Sequence, residues 1–273
     1  MPGFQIGDTL FSGAIGEVIS SNDPGFAVGD LVQSYSGWRE AFNAPADTLQ
    51  KLDPGPLPPQ AFLGVAGMPG LTAYAGIIRV AKLQEGDVIF VSSAAGAVGS
   101  LVCQIAKAKG HTVIGSAGGP EKCAYLKEIG VDHVIDYKDC EDLTAALLAA
   151  VPEGIDVYFD NVGGDHLEAA LNVAKPNARM VLCGTISTLN ATEMPSGPRN
   201  LVLAIPKQIR MEGVTVMANL DLLPDFVRDL GQWVQEGKVT WRETVFEGIE
   251  KAPEAFIGLF SGKGIGKFLV KLA

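Results

Sequence analysis

Apolar and polar positions alternate along the middle of the chain in a way that predicts strands and helices in turn. The continuous apolar run Val88–Val91 predicts a fully buried strand, and the residues from Val98 to Lys109 have helical periodicity. Further strands are predicted at 112–114, 134–135, 156–159 and 180–182, and further helices at 121–129, 143–150 and 166–171. An alternation repeated this often predicts an α/β fold with a doubly wound parallel sheet and helices on both faces.

The two ends of the chain have a different pattern, in which short strands and turns dominate. Residues 1 to about 55 contain short strands and end in the breaker segment Asp53–Pro59. Helices are predicted at 60–65, 71–81, 224–235 and 253–259, and strands at 214–217, 240–246 and 267–270. We therefore expect a β-rich domain built from residues 1–66 and 239–273, with an α/β domain of residues 67–238 inserted into it.

Composition excludes several classes of protein. The 273 residues are 47% apolar and 19% charged, which is enough apolar material for a large core. The net charge of −10, with no dense Lys/Arg stripe, argues against nucleic acid and membrane surfaces as partners. No apolar run reaches the ~20 residues that a membrane span needs, and no signal-peptide pattern opens the chain, so we expect a cytoplasmic protein.

Cysteines and histidines give no sign of a metal centre. The four cysteines and three histidines stand far apart in the sequence, without a Cys-x-x-Cys pair or other zinc spacing. We therefore predict no metal site.

A glycine-containing turn follows the first buried strand and opens the next helix. It has the sequence Ala94-Ala95-Gly96-Ala97-Val98-Gly99. A turn in this position lets a pyrophosphate approach the backbone, where the free amides of the helix start can bind it. We predict a dinucleotide site formed by Ala95, Gly96, Ala97 and Val98. The alternative is a tight turn that binds nothing, since the first glycine of the usual pattern is Ala94.

The end of the next strand indicates which dinucleotide binds. An NAD site needs a carboxylate ~20 residues past the glycine turn to hold the ribose hydroxyls. The segment Gly115–Gly119, which includes Gly118, has no carboxylate, and Lys122 follows it. A lysine beside small neutral residues attracts a 2′-phosphate, so we predict NADP(H) over NAD(H). The alternative for Lys122 is an ordinary solvated lysine.

Two later loops also follow strands of the predicted sheet. They are Asp160–Gly164 and Cys183–Ser187. Ligands of doubly wound sheets bind beyond the carboxyl ends of the strands, so we expect both loops near the nicotinamide end of the cofactor. The alternative is ordinary turn chemistry, in which Asp, Asn and Gly are common.

The sequence lacks the residues that two common kinds of hydride-transfer enzyme use for catalysis. Neither Tyr125 nor Tyr137 has a lysine four residues on, as a Tyr-x-x-x-Lys proton-transfer pair requires. With no metal to polarise an oxygen, the remaining chemistry is metal-free, such as hydride delivery to the β-carbon of an enone whose enolate is stabilised.

Five motifs, in this order, resemble those of the zinc-independent medium-chain reductases of the leukotriene B4 dehydrogenase / prostaglandin reductase family, which includes curcumin-reductase-like proteins. The motifs are Gly67–Tyr74, Ala94–Gly99, Ala117–Lys122, Tyr158–Gly164 and Gly184–Ser187. The resemblance implies a Rossmann domain inserted in a GroES-like catalytic domain. It further implies NADPH-dependent reduction of the C=C bond of enals and enones, and a homodimer.

The resemblance also assigns roles to individual residues. Lys122 matches the lysine that binds the 2′-phosphate, and Tyr137 matches a tyrosine beside that phosphate. The positions that match residues lining the cofactor are Thr72, Asn161, Cys183 and Ser187.

The sequence departs from the family pattern at three places. Met1 falls inside the catalytic domain, so we expect an incomplete GroES-like domain without its opening strands. Leu189 and Gly264 replace a tyrosine and an asparagine near the active site. The proton donor then stays open among the cofactor's ribose 2′-hydroxyl, Tyr74 and Asn190. An NADP-binding protein with little or no catalysis, a truncated remnant or sensor, and a quinone reductase are the alternatives.

Overall fold

The computed structural model describes residues 5–193 and 195–272. Its strands are β1 (Ala14–Glu17), β2 (Leu31–Ser34), β3 (Gln50–Lys51), β4 (Val88–Val91), β5 (Thr112–Ala117), β6 (His133–Asp136), β7 (Ile155–Asp160), β8 (Ala174–Leu182), β9 (Arg210–Gly213), β10 (Glu243–Glu247) and β11 (Lys267–Lys271). Its helices are α1 (Met68–Ala75), α2 (Gly99–Ala108), α3 (Pro120–Glu128), α4 (Leu143–Ala150), α5 (Gly164–Val173), α6 (Ala204–Lys207), α7 (Leu223–Gln235) and α8 (Ala252–Phe260).

The chain divides into two compact units. The smaller unit consists of Met1–Gly67 and Glu243–Ala273, and the larger unit is Met68–Arg242. In the smaller unit, β1, β2 and β3 form an antiparallel sheet, and β10 pairs with β11 in parallel. The rings of Trp38 and Phe256 meet edge to face in this unit, 6.0 Å apart.

The larger unit contains a six-stranded sheet in the order β6-β5-β4-β7-β8-β9, in which all neighbouring strands are parallel. The predicted doubly wound parallel sheet is confirmed. Because strand order reverses between β4 and β7, the crevice of such a sheet opens between the ends of these two strands.

Aromatic residues of the central strands fill both faces of the sheet. Phe90 and Tyr158 are fully buried and stack 5.0 Å apart on one face. On the other face, Phe159 lies against Gly76, the first residue of the π-helical segment Gly76–Ala81 that continues α1. A Cβ atom at Gly76 would overlap the Phe159 ring, so only glycine lets this segment approach the sheet.

Several predicted elements differ from the structure. The helix predicted at 60–65 is a 3-10 segment, Pro59–Leu63, and the strand predicted at 240–246 begins only at Glu243. The strand predicted at 214–217 is wrong, because the last strand of the sheet is β9, Arg210–Gly213, and 216–222 form a 3-10 segment. β9 lies at the sheet edge and is mostly exposed, so its polar sequence lacks the apolar signal of a buried strand. The helix predicted at 71–81 begins earlier, at Met68, and its second half is π-helical.

The described part of the chain contains no helix that is long and apolar enough to cross a membrane.

Candidate functional site

The turn between β4 and α2 brings the backbone close to any ligand that lies over it. A Cβ atom at Gly99 would overlap the Ser93 carbonyl and come 2.9 Å from Ala94 Cα, so the turn requires glycine here. Gly96, Ala97 and Val98 are half-buried at the start of the helix. The first amides of a helix have no partner within it, and the helix dipole is positive at this end, so the turn is suited to an anion.

A second candidate anion site lies at the end of the neighbouring strand β5. A Cβ atom at Gly118 would lie 2.8 Å from Lys138 Cε and 2.9 Å from Tyr137 Oη, so both side chains converge on this glycine. Lys122 is half-buried in the first turn of α3. Burial lowers the pKa of Lys122, and the nearby charge of Lys138 lowers it further. Two ammonium groups that repel one another are brought together where an anion would relieve the repulsion.

We call the group formed by Gly118, Lys122, Tyr137 and Lys138 the lysine corner. A carboxylate at the end of β6 fixes the backbone of this corner. Both carboxylate oxygens of Asp136 accept the Gly119 amide at 3.0 Å, and Oδ1 also accepts the Lys138 amide at 3.0 Å. These backbone donors orient the loop that carries Gly118 and the segment that carries Lys138. Lys138 is not among the residues predicted from the sequence, where its only signal is its place directly after Tyr137.

On the other side of the crevice, Asn161 connects the ends of β7 and β4. Its backbone amide donates to Ser92 Oγ at 2.9 Å, and its side-chain amide donates to the Ser92 carbonyl at 2.8 Å. Asn161 therefore lies at the point where strand order reverses, which is where a dinucleotide is expected.

The loop after β8 packs against the loop after β7. The Cys183 amide donates to the Asp160 carbonyl at 2.9 Å, and Ser187 Oγ donates to the Val162 carbonyl at 2.5 Å. Burial raises the pKa of Cys183 to about 11, which disfavours the reactive thiolate near neutral pH. The structure thus brings Asn161, Cys183 and Ser187 together at one edge of the sheet.

Helix α1 carries two further predicted residues. Thr72 is half-buried, and its hydroxyl donates to the Met68 carbonyl of its own helix at 2.8 Å. Tyr74 is only 4% exposed, and its hydroxyl donates to Asp229 Oδ2 at 2.7 Å. The ring of Tyr74 packs against Phe226 at 5.5 Å. The Tyr74 hydroxyl is therefore hydrogen-bonded between α1 and α7 in a buried position, which argues against a role as proton donor.

The positions that depart from the family pattern have contrasting environments. Leu189 is 64% exposed and Asn190 is exposed beside it, just after a short 3-10 turn. In the smaller unit, Gly264 has φ 78°, and a Cβ atom there would overlap the Phe268 ring and lie 2.7 Å from Thr244 Oγ1. Position 189 can accept a larger side chain, whereas position 264 has room for none.

The described residues contain no group of three or more His, Cys, Asp or Glu side chains that could hold a metal ion. The glycine turn and the lysine corner, by contrast, fit the pyrophosphate and the 2′-phosphate of NADP(H), because both sites offer donors and positive charge to an anion.

Two family models match the chain. The model described as "Zinc-binding dehydrogenase" matches residues 97–234, and the one described as "N-terminal domain of oxidoreductase" matches residues 1–52.

Known proteins similar to this chain match it over nearly its whole length. A 2-alkenal reductase (NADP(+)-dependent) from Nicotiana tabacum is 43% identical over 99% of this chain and 79% of the relative. Prostaglandin reductase 1 from Rattus norvegicus is 41% identical over 97% of this chain and 82% of the relative. The crystal structure of CurA from Vibrio vulnificus in complex with NADPH is 39% identical and matches with a TM-score of 0.90 over 96% of this chain and 80% of CurA.

Proposed function

Because this chain belongs to the prostaglandin reductase family of medium-chain dehydrogenases/reductases, we propose that it reduces the C=C bond of α,β-unsaturated aldehydes and ketones with NADPH. The observation that carries the cofactor assignment is the approach of Lys138 and Tyr137 to Gly118, with Lys122 close enough to Lys138 for that charge to lower its pKa. The substrate class is supported by the tobacco relative, which is a 2-alkenal reductase.

Each part of the site has a proposed role in holding the cofactor. The amides of Ala95–Val98 at the start of α2 bind the pyrophosphate, and Lys122, Lys138 and Tyr137 bind the 2′-phosphate. The residues proposed to line the nicotinamide half are Thr72, Asn161, Cys183 and Ser187. When bound, NADPH supplies the hydride that adds to the β-carbon of the enone.

The enolate left by hydride addition must then gain a proton at its α-carbon. Leu189 has no proton to give, and the Tyr74 hydroxyl is occupied by Asp229. The exposure of Leu189 and Asn190 leaves this edge accessible to water. We therefore propose that solvent, or the ribose 2′-hydroxyl of the cofactor, supplies the proton in place of a tyrosine.

The direct test is NADPH oxidation by the purified chain with a medium-chain 2-alkenal, with NADH as the control cofactor. Alkenal-dependent turnover that prefers NADPH is the expected result, and mass spectrometry of the product must show a saturated aldehyde. Turnover with a quinone and not with the alkenal would make the protein a quinone reductase. Tight NADPH binding without any turnover would make it an NADP-binding protein.

We further propose a homodimer formed through the edge strand β9. In the segment just before β9, three apolar side chains are exposed, namely Leu201 (45%), Val202 (66%) and Ile205 (76%). An unpaired strand edge next to exposed apolar side chains supports pairing with a second copy. Light scattering on a sizing column should give the dimer mass, and Ile205→Asp should shift it toward the monomer. A monomeric wild-type chain would refute the proposal.

A cytoplasmic location is proposed on the state of the cysteines. All four are free thiols in the structure, which agrees with a reducing compartment. Cell fractionation with an antibody to the protein tests it, and recovery outside the cytoplasmic fraction would refute it.

A further inference from the structure

A carboxylate lies buried at the reversal point of the sheet. Asp160 ends β7 and is only 1% exposed. Its Oδ1 atom accepts hydrogen bonds from the Gly163 amide at 2.7 Å, the Val162 amide at 2.9 Å and the Tyr158 hydroxyl at 2.7 Å. Ser92 at the end of β4 lies at 3.4 Å from the same atom. Three strong donors therefore converge on one oxygen of this carboxylate.

The charge of Asp160 has no cation opposite it in the described part of the chain. Each ion pair found there joins other residues. The titratable groups whose pKa the carboxylate of Asp160 raises include Tyr158, His166 and Cys183. Burial keeps the pKa of His166 below its usual value, so its imidazole is neutral at neutral pH. Burying a carboxylate without a paired cation costs free energy of folding. A positive charge bound nearby would offset that cost.

The position of Asp160 relative to the two anion sites indicates which part of the cofactor is nearest. The lysine corner lies at the ends of β5 and β6, on one side of the glycine turn after β4. A dinucleotide held by its 2′-phosphate at these lysines and by its pyrophosphate at the turn would have its other half on the side of β7 and β8. The nicotinamide would then lie toward the strand end that carries Asp160.

The two redox forms of the cofactor differ in charge at this end. The oxidised nicotinamide ring carries a positive charge that the reduced ring lacks. At an effective dielectric constant near 20, any carboxylate within roughly 10 Å of a positive charge stabilises that charge by about tenfold or more.

Resting on the proposed NADPH-dependent reaction, we propose that Asp160 is a positioning residue of an electrostatic kind: its buried carboxylate favours the oxidised nicotinamide over the reduced one and so assists hydride donation. The carboxylate acts through the field it sets up at the ends of β4 and β7, without touching the substrate.

The test compares the dissociation constants of NADP⁺ and NADPH, measured by titration calorimetry. Asp160→Asn keeps the size of the side chain but removes its charge, and should weaken NADP⁺ relative to NADPH by about tenfold. Tyr158→Phe removes one hydrogen bond but keeps the carboxylate, and should leave the ratio of the two constants within twofold of wild type. A purely structural role would affect both cofactor forms equally in either variant.

Two results would overturn the inference. One is a folded Asp160→Asn variant with the wild-type ratio. The other, which needs no variant, is a wild-type chain that binds NADPH more than tenfold more tightly than NADP⁺, and this measurement decides the matter if Asp160→Asn does not fold. Failure of the wild-type chain to bind NADPH at all would refute the proposed function as well, so the two failures can be told apart.

Discussion

The ammonium groups of Lys122 and Lys138 lie close enough for the charge of Lys138 to lower the pKa of Lys122. Repulsion between the two ammonium groups costs free energy. A phosphate bound between them would offset that cost by pairing with both. This relationship extends the proposed 2′-phosphate site from the one lysine visible in the sequence motif to two.

Loss of either lysine should reduce the preference for NADPH. A charge-assisted hydrogen bond contributes about 1.5–3 kcal/mol, so Lys122→Ala and Lys138→Ala should each lower kcat/KM for NADPH by roughly tenfold to a hundredfold. The kcat/KM for NADH should change little, because NADH has no 2′-phosphate. Lys109→Ala, at an exposed position on the end of α2, is the matched control. An unchanged NADPH:NADH ratio in Lys138→Ala would remove Lys138 from the site.

A tyrosine at position 189 should increase turnover. Leu189 has φ −62° and ψ −28° and is largely exposed, so Leu189→Tyr introduces no backbone strain or overlap. A hydroxyl that donates to the enolate is worth ~10²–10³ in rate at best, so we expect kcat to rise about tenfold or more. Leu189→Phe has the ring without the hydroxyl and should show no gain. Equal rates for the two variants would mean that the hydroxyl does not reach the enolate.

An asparagine at position 264 should fail to improve the enzyme. Gly264 has a positive φ, and a Cβ atom there meets the ring of Phe268 and the hydroxyl of Thr244. Gly264→Asn should therefore lower the melting temperature and leave kcat no higher than in wild type. A stable variant with raised kcat would show that the neighbouring side chains yield easily.

Removal of the Tyr74 hydroxyl should affect stability and leave catalysis unchanged. Tyr74→Phe deletes the 2.7 Å hydrogen bond to Asp229, which keeps an ion pair with Arg228. We expect the free energy of unfolding to fall by about 1.5 kcal/mol. The kcat per folded molecule should equal that of wild type. Urea unfolding and steady-state kinetics check both, with Tyr35→Phe, at an exposed ring, as the control. A hundredfold loss of kcat would restore Tyr74 as a catalytic residue.

Protonation of His166 should destabilise the folded chain as the pH falls. Its imidazole is 7% exposed, its Nε2 atom has no hydrogen-bond partner among the described residues, and burial lowers its pKa. Because the unfolded chain binds a proton at a higher pH than the folded chain does, stability is complete above the ordinary histidine pKa near 6.5 and declines below it.

His166→Phe should therefore lose less stability than wild type between about pH 7.5 and pH 5.5. Urea unfolding at several pH values measures this, and His133→Gln, at a half-buried position, is the control for removing one imidazole. Parallel stability curves for wild type and His166→Phe would contradict the prediction.

The sequence by itself determined the alternation of strands and helices from β4 to β8 and the glycine turn of the proposed nucleotide site. These features are local: a buried strand needs a continuous apolar run, and a turn such as 94–99 needs glycine at Gly99 because its backbone approaches Ser93. The predicted helix 143–150 matches α4 for the same reason, since its periodicity and its cap, Asp142, are both local.

Only the tertiary structure decided which side chains meet. Tyr74 and Asp229 are 155 residues apart in the chain, and Lys138 reaches Gly118 from the neighbouring strand. The edge strand β9 takes its conformation from pairing with β8, and its polar sequence carries no signal of its own. Such contacts depend on strand order and on packing between distant segments, and periodicity in the sequence records neither.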